Sequence, residues 1–454
     1  MIFLNKKKNK NRNSIKKVVK IINKVSIIGA GLAGCEASYQ LAKRGIQVDL
    51  YDIKPNNFTP AHSNPNLAEI VCSNSLKSQD LSTASGLLKK ELENFDCLIL
   101  KTAIKNSVPA GNALAVDREK FSQDITNTIK SFKNINFISK EVTKLPNGIV
   151  IIATGPLTTN KLSENLTELL NTNNLHFYDA SSPIIDVESI DMNIAYVKDR
   201  YDKGSGDYIN CPMTKDEYLT FYNELINAKT VELKEFEKKE IFEGCMPVEI
   251  MAKRGVDSLR YGPLKPVGLD HPDSKQKYYA VVQLRKEDNT NSLYNMVGFQ
   301  TNLTFQEQKR VFSLIPSLNN AKFVKYGVMH RNTYINAPQL LKNTYQLKNN
   351  ENVFIAGQLS GVEGYMESTM SGLMCGINAY LLINNKPLLN LSSNTMMGAI
   401  TNYITTCELK RFQPMNANFG IVSPLDIKER DDKIKKKKIV DRALEEISLA
   451  IKNI

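Results

Sequence analysis

The hydrophobic pattern first becomes regular at "KVSIIGAGLAGCEASYQLAKRGIQVDLYDIKP", where a short β-branched run, Val25 to Ile28, breaks into glycines. A helical pattern then runs to about Arg44, and a second apolar run, Gln47 to Tyr51, ends at Asp52. This spacing predicts strand, tight turn, helix and strand. A third run, Ile149 to Ala153, stops at Thr154-Gly155-Pro156, and a fourth, Val353 to Ala356, gives way to a turn carrying Gly357, Gly361 and Gly364. The helix predicted after that turn holds the small residues Ser371, Gly372 and Gly376. Unbroken apolar runs of this length suit strands buried on both faces of a parallel sheet. Residues 191 to 324 read differently. They predict an amphipathic helix from about Lys215 to Ala228, strands at Tyr279 to Leu284 and Tyr294 to Phe299, and a helix at "TFQEQKRVFSLI".

The first of these patterns carries chemistry. In Gly29-Ala30-Gly31-Leu32-Ala33-Gly34, the first glycine suits a tight turn, the second lets backbone approach a pyrophosphate, and the third lets helix pack on strand. The phosphates then sit at a helix N-terminus and Asp52 takes the ribose hydroxyls. The Thr154-Gly155-Pro156 turn resembles that of two-dinucleotide-domain flavoproteins, and the Gly357–Gly361 turn resembles a second FAD contact, which implies FAD rather than a dissociable nicotinamide. The fold expected is α/β, a discontinuous Rossmann-like FAD-binding domain (25–190 and 325–454) with an inserted α+β substrate domain (191–324).

Charge and cysteine usage narrow the picture. Lys and Arg exceed Asp and Glu by 59 to 47, a net +12, and residues 1–24 hold nine basic side chains and no acid. That leader is either a solvated, disordered tail or an arm that attracts phosphate. A second basic run, "KIKKKK", lies near the C-terminus beside "ERDD". The seven cysteines form no CxxC pair and the four histidines are scattered, which argues against a disulfide framework or a bound metal. No apolar run reaches the roughly 20 residues of a membrane span, and the leader lacks the apolar stretch of a secretory signal. A cytoplasmic protein is expected. Free thiols are usually small buried hydrophobes, the reading for Cys35, Cys97, Cys211, Cys375 and Cys407.

Cys72 and Cys245 stand in rarer contexts, "EIVCSNSL" and "FEGCMPVEIMAKRG". With "IIGAGLAGCEA", "VPAGNALAVDREKF", "RYDKGSGDYINCPM", "RYGPLKPVGL", "YGVMHRNTYI" and "IAGQLSGVEGYMES", they run in order from about residue 25 to 385. Together these blocks resemble the folate- and FAD-dependent RNA (uracil-5-)-methyltransferases, the TrmFO family. The chain is similar, more distantly, to the flavoprotein that modifies wobble uridines.

The resemblance implies a methyltransferase that makes 5-methyluridine, with 5,10-methylenetetrahydrofolate as one-carbon donor, FAD as carrier and reductant, and NADH or NADPH as the source of electrons. It assigns Cys245 to attack on uracil carbon-6 and Cys72 to removal of the carbon-5 proton, with exchange of those roles left open. A thiolate at carbon-6 is needed because carbon-5 of an intact uracil is a poor nucleophile. His330 is implied on the pterin side, with Arg331 or Arg285 for the folate carboxylates. Lys253, Arg254, Arg260, Lys265, Lys309 and Arg310 are candidates for RNA phosphate. The T-loop uridine of tRNA is the expected target and a uridine of 23S ribosomal RNA the alternative. A flavin oxidoreductase on a small molecule and a non-catalytic RNA-binding flavoprotein remain as readings from other classes. No heptad seam indicates an oligomer.

Overall fold

The computed structural model describes residues 24–59, 61–170, 175–180, 182–202, 206–231, 246–287, 291–327, 329–409, 412–426 and 429–454, with backbone alone at 175–180 and 329–332. Cys245 and, apart from Lys24, the basic leader lie outside these residues.

The chain opens with β1 (Lys24–Ile28), α1 (Leu32–Ala42) and β2 (Gln47–Asp52). It continues through β3 (Ser75–Ser78), α2 (Ala84–Asn94), α3 (Arg118–Ser131), β4 (Ile135–Ser139), β5 (Ile149–Ile152) and β6 (Leu175–Ala180). A middle portion holds β7 (Ile184–Asp186), β8 (Tyr196–Val197), β9 (Tyr208–Met213), α4 (Lys215–Asn227), α5 (Val248–Ala252), α6 (Ser258–Tyr261), β10 (Ala280–Lys286), β11 (Leu293–Met296), α7 (Phe305–Phe312) and β12 (Phe323–Lys325). The return adds β13 (Met329–Tyr334), β14 (Gln346–Leu347), β15 (Asn350–Ile355), α8 (Tyr365–Ile383), α9 (Met396–Thr406) and α10 (Asp432–Ile451).

Early and late segments build one six-stranded sheet in the order β14-β15-β5-β1-β2-β4, parallel except for the β14–β15 pair. All four residues of β5 are buried, as its unbroken Ile-Val-Ile-Ile requires. Helix α1 lies against α8 at very short range. A Cβ at Gly372 would stand 2.2 Å from the Ala33 carbonyl oxygen, so the two helices meet backbone to backbone. That contact brings the N-terminal end of α8, from a distant part of the chain, beside the turn after β1. The fold is the Rossmann-like α/β class expected.

The middle portion forms a second sheet, β8-β9-β10-β11-β7-β12, antiparallel throughout. It has its own core, including Cys211, Tyr218, Phe221, Val282, Phe299 and Phe312. The strand expected to reach Phe299 ends at Met296; Val297 still donates its N–H to the Gln283 carbonyl, and the chain turns at Gly298, with φ 76°. A two-stranded antiparallel ribbon of β6 and β13 carries the chain out and back. The "KIKKKK" run sits in the first half of α10, where Lys436 pairs with Asp432 and Lys438 with Glu429.

Candidate active site

The turn between β1 and α1 has an open side and a closed side. A Cβ at Gly29 (φ 100°) would fall 2.4 Å from the Ala153 carbonyl oxygen, and one at Gly34 would fall 1.8 Å from the Gly29 oxygen. A Cβ at Gly31 meets nothing within 4 Å. Two glycines therefore permit packing, and the middle one leaves backbone facing open space. Gly31 caps α1 without a side-chain hydrogen bond, and no acid stands in the first turn, so the positive end of the helix is presented to that space. At the end of β2, the Asp52 carboxylate accepts the Ala30 N–H at 2.7 Å and the Lys54 N–H at 2.9 Å.

These groups line one cavity that opens to solvent. Gly29, Ala30, Gly31, Leu32, Ala33, Asp52, Gly155 and Gly357 all reach it. Gly34 lies beneath it, and Gly361 packs on Phe412, where a Cβ would approach the ring to 2.6 Å. The open Gly31, bare helix terminus and carboxylate fit a dinucleotide: amide donors for its phosphates and an acceptor for its ribose hydroxyls.

A second group lies on the same cavity and was not singled out by sequence. His62 Nδ1 is 2.5 Å from Thr59 Oγ1, and both line the wall with Lys54 and Glu69. Burial, then Lys54, holds the His62 imidazole below its usual pKa. Glu69 Oε1 accepts the N–H groups of Ser63 and Asn64. Its other oxygen, Oε2, is buried with no hydrogen-bond partner and has Lys54 Nζ 3.5 Å away.

The thiol loop follows immediately. The hydroxyl of Tyr365, the first residue of α8 and part of the cavity wall, accepts the N–H of Cys72 at 2.9 Å and that of Ser73 at 3.2 Å. Burial, then the charge of a Cys72 thiolate, pushes the Tyr365 phenol well above its usual pKa, so it stays protonated. From the other side Arg118 donates to the carbonyls of Ile70 and Cys72 and forms a two-bond pair with Glu287, at 2.7 and 3.1 Å. Burial works against the Arg118 charge, but Glu287 more than reverses that and raises its pKa.

Arg285 donates to Asn74 Oδ1 at 3.1 Å and Ser73 Oγ at 2.6 Å, while buried Asn74 donates to the Lys286 carbonyl. The loop is thus held from both units of the fold. Lys325, at the end of β12, has its pKa lowered by burial and then by Arg118, opposed by Glu69, Glu287 and Cys72.

Arg285 holds the Cys72 loop through its Nε and Nη2. Lys77 is paired with Glu367 at 3.4 Å, and Glu249 is buried on Thr301 Oγ1 and the Asn302 N–H. Cys35, Cys97, Cys211 and Cys375 are buried and their thiols pushed up by burial, Cys211 to about 12. His330 lies on β13, opposite Asp179; its side chain, like Cys245, is outside the described residues. Among the described residues there is no cluster suited to a metal, and no helix is long and apolar enough to cross a membrane.

Comparison with known proteins bears on this arrangement. Residues 24–387 match the family model described as glucose inhibited division protein A. The chain is 51% identical to the methylenetetrahydrofolate--tRNA-(uracil-5-)-methyltransferase TrmFO of Halalkalibacterium halodurans, over 95% of this chain and 99% of that protein. It is 52% identical to the Bacillus subtilis protein of the same name, over 95% and 99%, and 53% to that of Fusobacterium nucleatum, over 95% and 99%. Its fold is similar to solved structures of Aquifex aeolicus GidA, with a TM-score of 0.67 at 15% identity over 94% of this chain and 73% of that one. An α/β cradle, a thiol loop at its rim and half-identity along almost the whole length converge: the chain belongs to the TrmFO family of methyltransferases.

Proposed function

We propose that the protein methylates carbon-5 of a uridine in tRNA, at the T-loop, taking its one-carbon unit from 5,10-methylenetetrahydrofolate. The observation that carries this reading is the Cys72 loop, hung from Tyr365 on the wall of a dinucleotide cavity and clamped by Arg118 and Arg285. A generic flavin oxidoreductase needs no such thiol.

FAD held in this cradle would supply the one-carbon transfer and hydride chemistry, with NADH or NADPH as the source of electrons. The chain's own residues do the rest. The Gly29–Gly34 turn and Asp52 orient the dinucleotide. Cys72, as its thiolate, receives the carbon-5 proton once the carbon–carbon bond has formed. Cys245 is assigned the attack on carbon-6, and His330, on the ribbon joining the two units, the face against the pterin. Tyr365 fixes the loop through two backbone N–H groups, so the sulfur is set relative to the cavity without a search.

The test is to incubate purified protein with methylenetetrahydrofolate, NADH or NADPH, and two unmodified transcripts, one tRNA and one 23S rRNA fragment. 5-Methyluridine is then mapped by mass spectrometry. Methyl in the T-loop is expected. Methyl only in rRNA would replace the substrate, and flavin-loaded protein with no methyl in either would overturn the reading.

A further inference from the structure

The segment Met246 to Leu269 presents an apolar and basic surface that the cavity does not use. Tyr261, the last residue of α6, is 81% exposed, the exposed Val256 precedes it and Val267, 52% exposed, follows. Tyr201, 54% exposed, packs at the far end, where its ring would lie 2.7 Å from a Cβ at Gly268. Lys253 and Lys265, in the same segment, are exposed and have no ion-pair partner among the described residues.

These side chains are held outward by a pinned backbone. Leu259, Leu264 and Leu269 recur every fifth residue and are all buried. Leu264 accepts the Val281 N–H through its carbonyl, tying the segment to β10. Arg200 donates to the carbonyls of Lys265 and Val267, at 3.0 and 2.5 Å. Arg260 is spent inside: its guanidinium sits 3.6 Å over the Tyr279 ring and bonds Asp257 and the Tyr279 carbonyl. Arg310, similarly, is held by Glu224 and Glu307. Both guanidinium groups already have carboxylate partners. An exposed apolar group rimmed by cations on a fixed loop marks an interaction surface.

We infer that Tyr261 is a stacking platform for an unpaired base of the RNA substrate, with Lys253 and Lys265 placed for the flanking phosphates. The inference rests on the tRNA reading above. Unpaired bases stack on exposed aromatics while cations track the backbone. The rigid loop loses little freedom on binding. Charge favours RNA over a second copy of this chain. The acids between Met246 and Leu269 are Glu249, buried, and Asp257, paired with Arg260, so an isologous contact would set Lys253 and Lys265 against lysines.

The experiment measures binding of an unmodified tRNA transcript to flavin-loaded full chain across a salt series. Tyr261→Ala is expected to weaken binding roughly tenfold with its salt slope kept, and Tyr261→Phe to bind as wild type. Lys253→Gln with Lys265→Gln is expected to reduce the salt slope by about 1 to 2. Melting temperature and flavin content of each variant establish that it is folded. Binding by Tyr261→Ala within twofold of wild type overturns the platform while the methyltransferase reading stands. A wild-type chain that holds no tRNA removes both. A shift from dimer to monomer on Tyr261→Ala, seen by light scattering without loss of tRNA binding, assigns the surface to a second copy instead.

Discussion

The nucleotide cradle and the thiol loop share a cavity wall but are built by opposite means. The cradle is local: strand, turn, helix and strand between Lys24 and Asp52 contain its main donors and its acceptor. The thiol loop has almost no regular structure of its own, and its geometry comes from Tyr365, 293 residues away, from Arg118 and from Arg285. Backbone conformation decides the first region. Tertiary hydrogen bonds decide the second, so each should fail in its own way.

Removing the thiol separates the two most sharply. Cys72→Ala is expected to lower methyl transfer by about 10³-fold while flavin remains bound, checked by methyl mapping and the visible spectrum. Next comes the clamp. Arg118→Met leaves Glu287 buried without its partner and is expected to cost about 3 kcal/mol in denaturant unfolding, the range for breaking a buried pair from one side.

The cradle glycines then divide. Gly34→Val forces carbons into the Gly29 carbonyl and is expected to cost about 3 kcal/mol of stability, whereas Gly31→Val should melt close to wild type yet purify with little flavin. Equal melting of the two variants would erase the distinction between closed and open sides. The smallest effect is on pH. The folded His62 pKa lies below its ordinary 6.5, so the neutral ring is favoured in the fold. Its contribution is present above about pH 6.5 and lost as pH falls, because the unfolded chain then binds the extra proton. His62→Gln should flatten the acid side of a melting-temperature profile.

The same contrast explains what the sequence made legible. The helix expected from Lys215 to Ala228 is observed at Lys215–Asn227, and the run Ile149 to Ala153 gives the buried strand β5, since periodicity and glycine spacing are local signals. Tyr365 was visible only as part of "GVEGYMES". Nothing along the chain announces that its hydroxyl takes the N–H groups of Cys72 and Ser73. The pairing of Arg118 with Glu287 spans 169 residues and has no periodic trace. The bonds of Arg285 were hidden for a related reason: a guanidinium suited to a ligand carboxylate suits Ser73 and Asn74 equally well. Exposed Tyr261 was likewise invisible, since sequence does not show which aromatic a fold leaves outside.

The account stands most directly on the link between cavity and thiol through Tyr365. Tyr365→Phe removes only the oxygen that accepts the two N–H groups, leaving two half-buried donors without it and the loop free to shift. The measurement is single-turnover methyl transfer to tRNA by the flavin-loaded variant. The account predicts a fall of roughly 10- to 100-fold with flavin content unchanged, the cost of a misplaced reacting group. Transfer at the wild-type rate would contradict it and return Tyr365 to the role of a buried aromatic in the cavity wall.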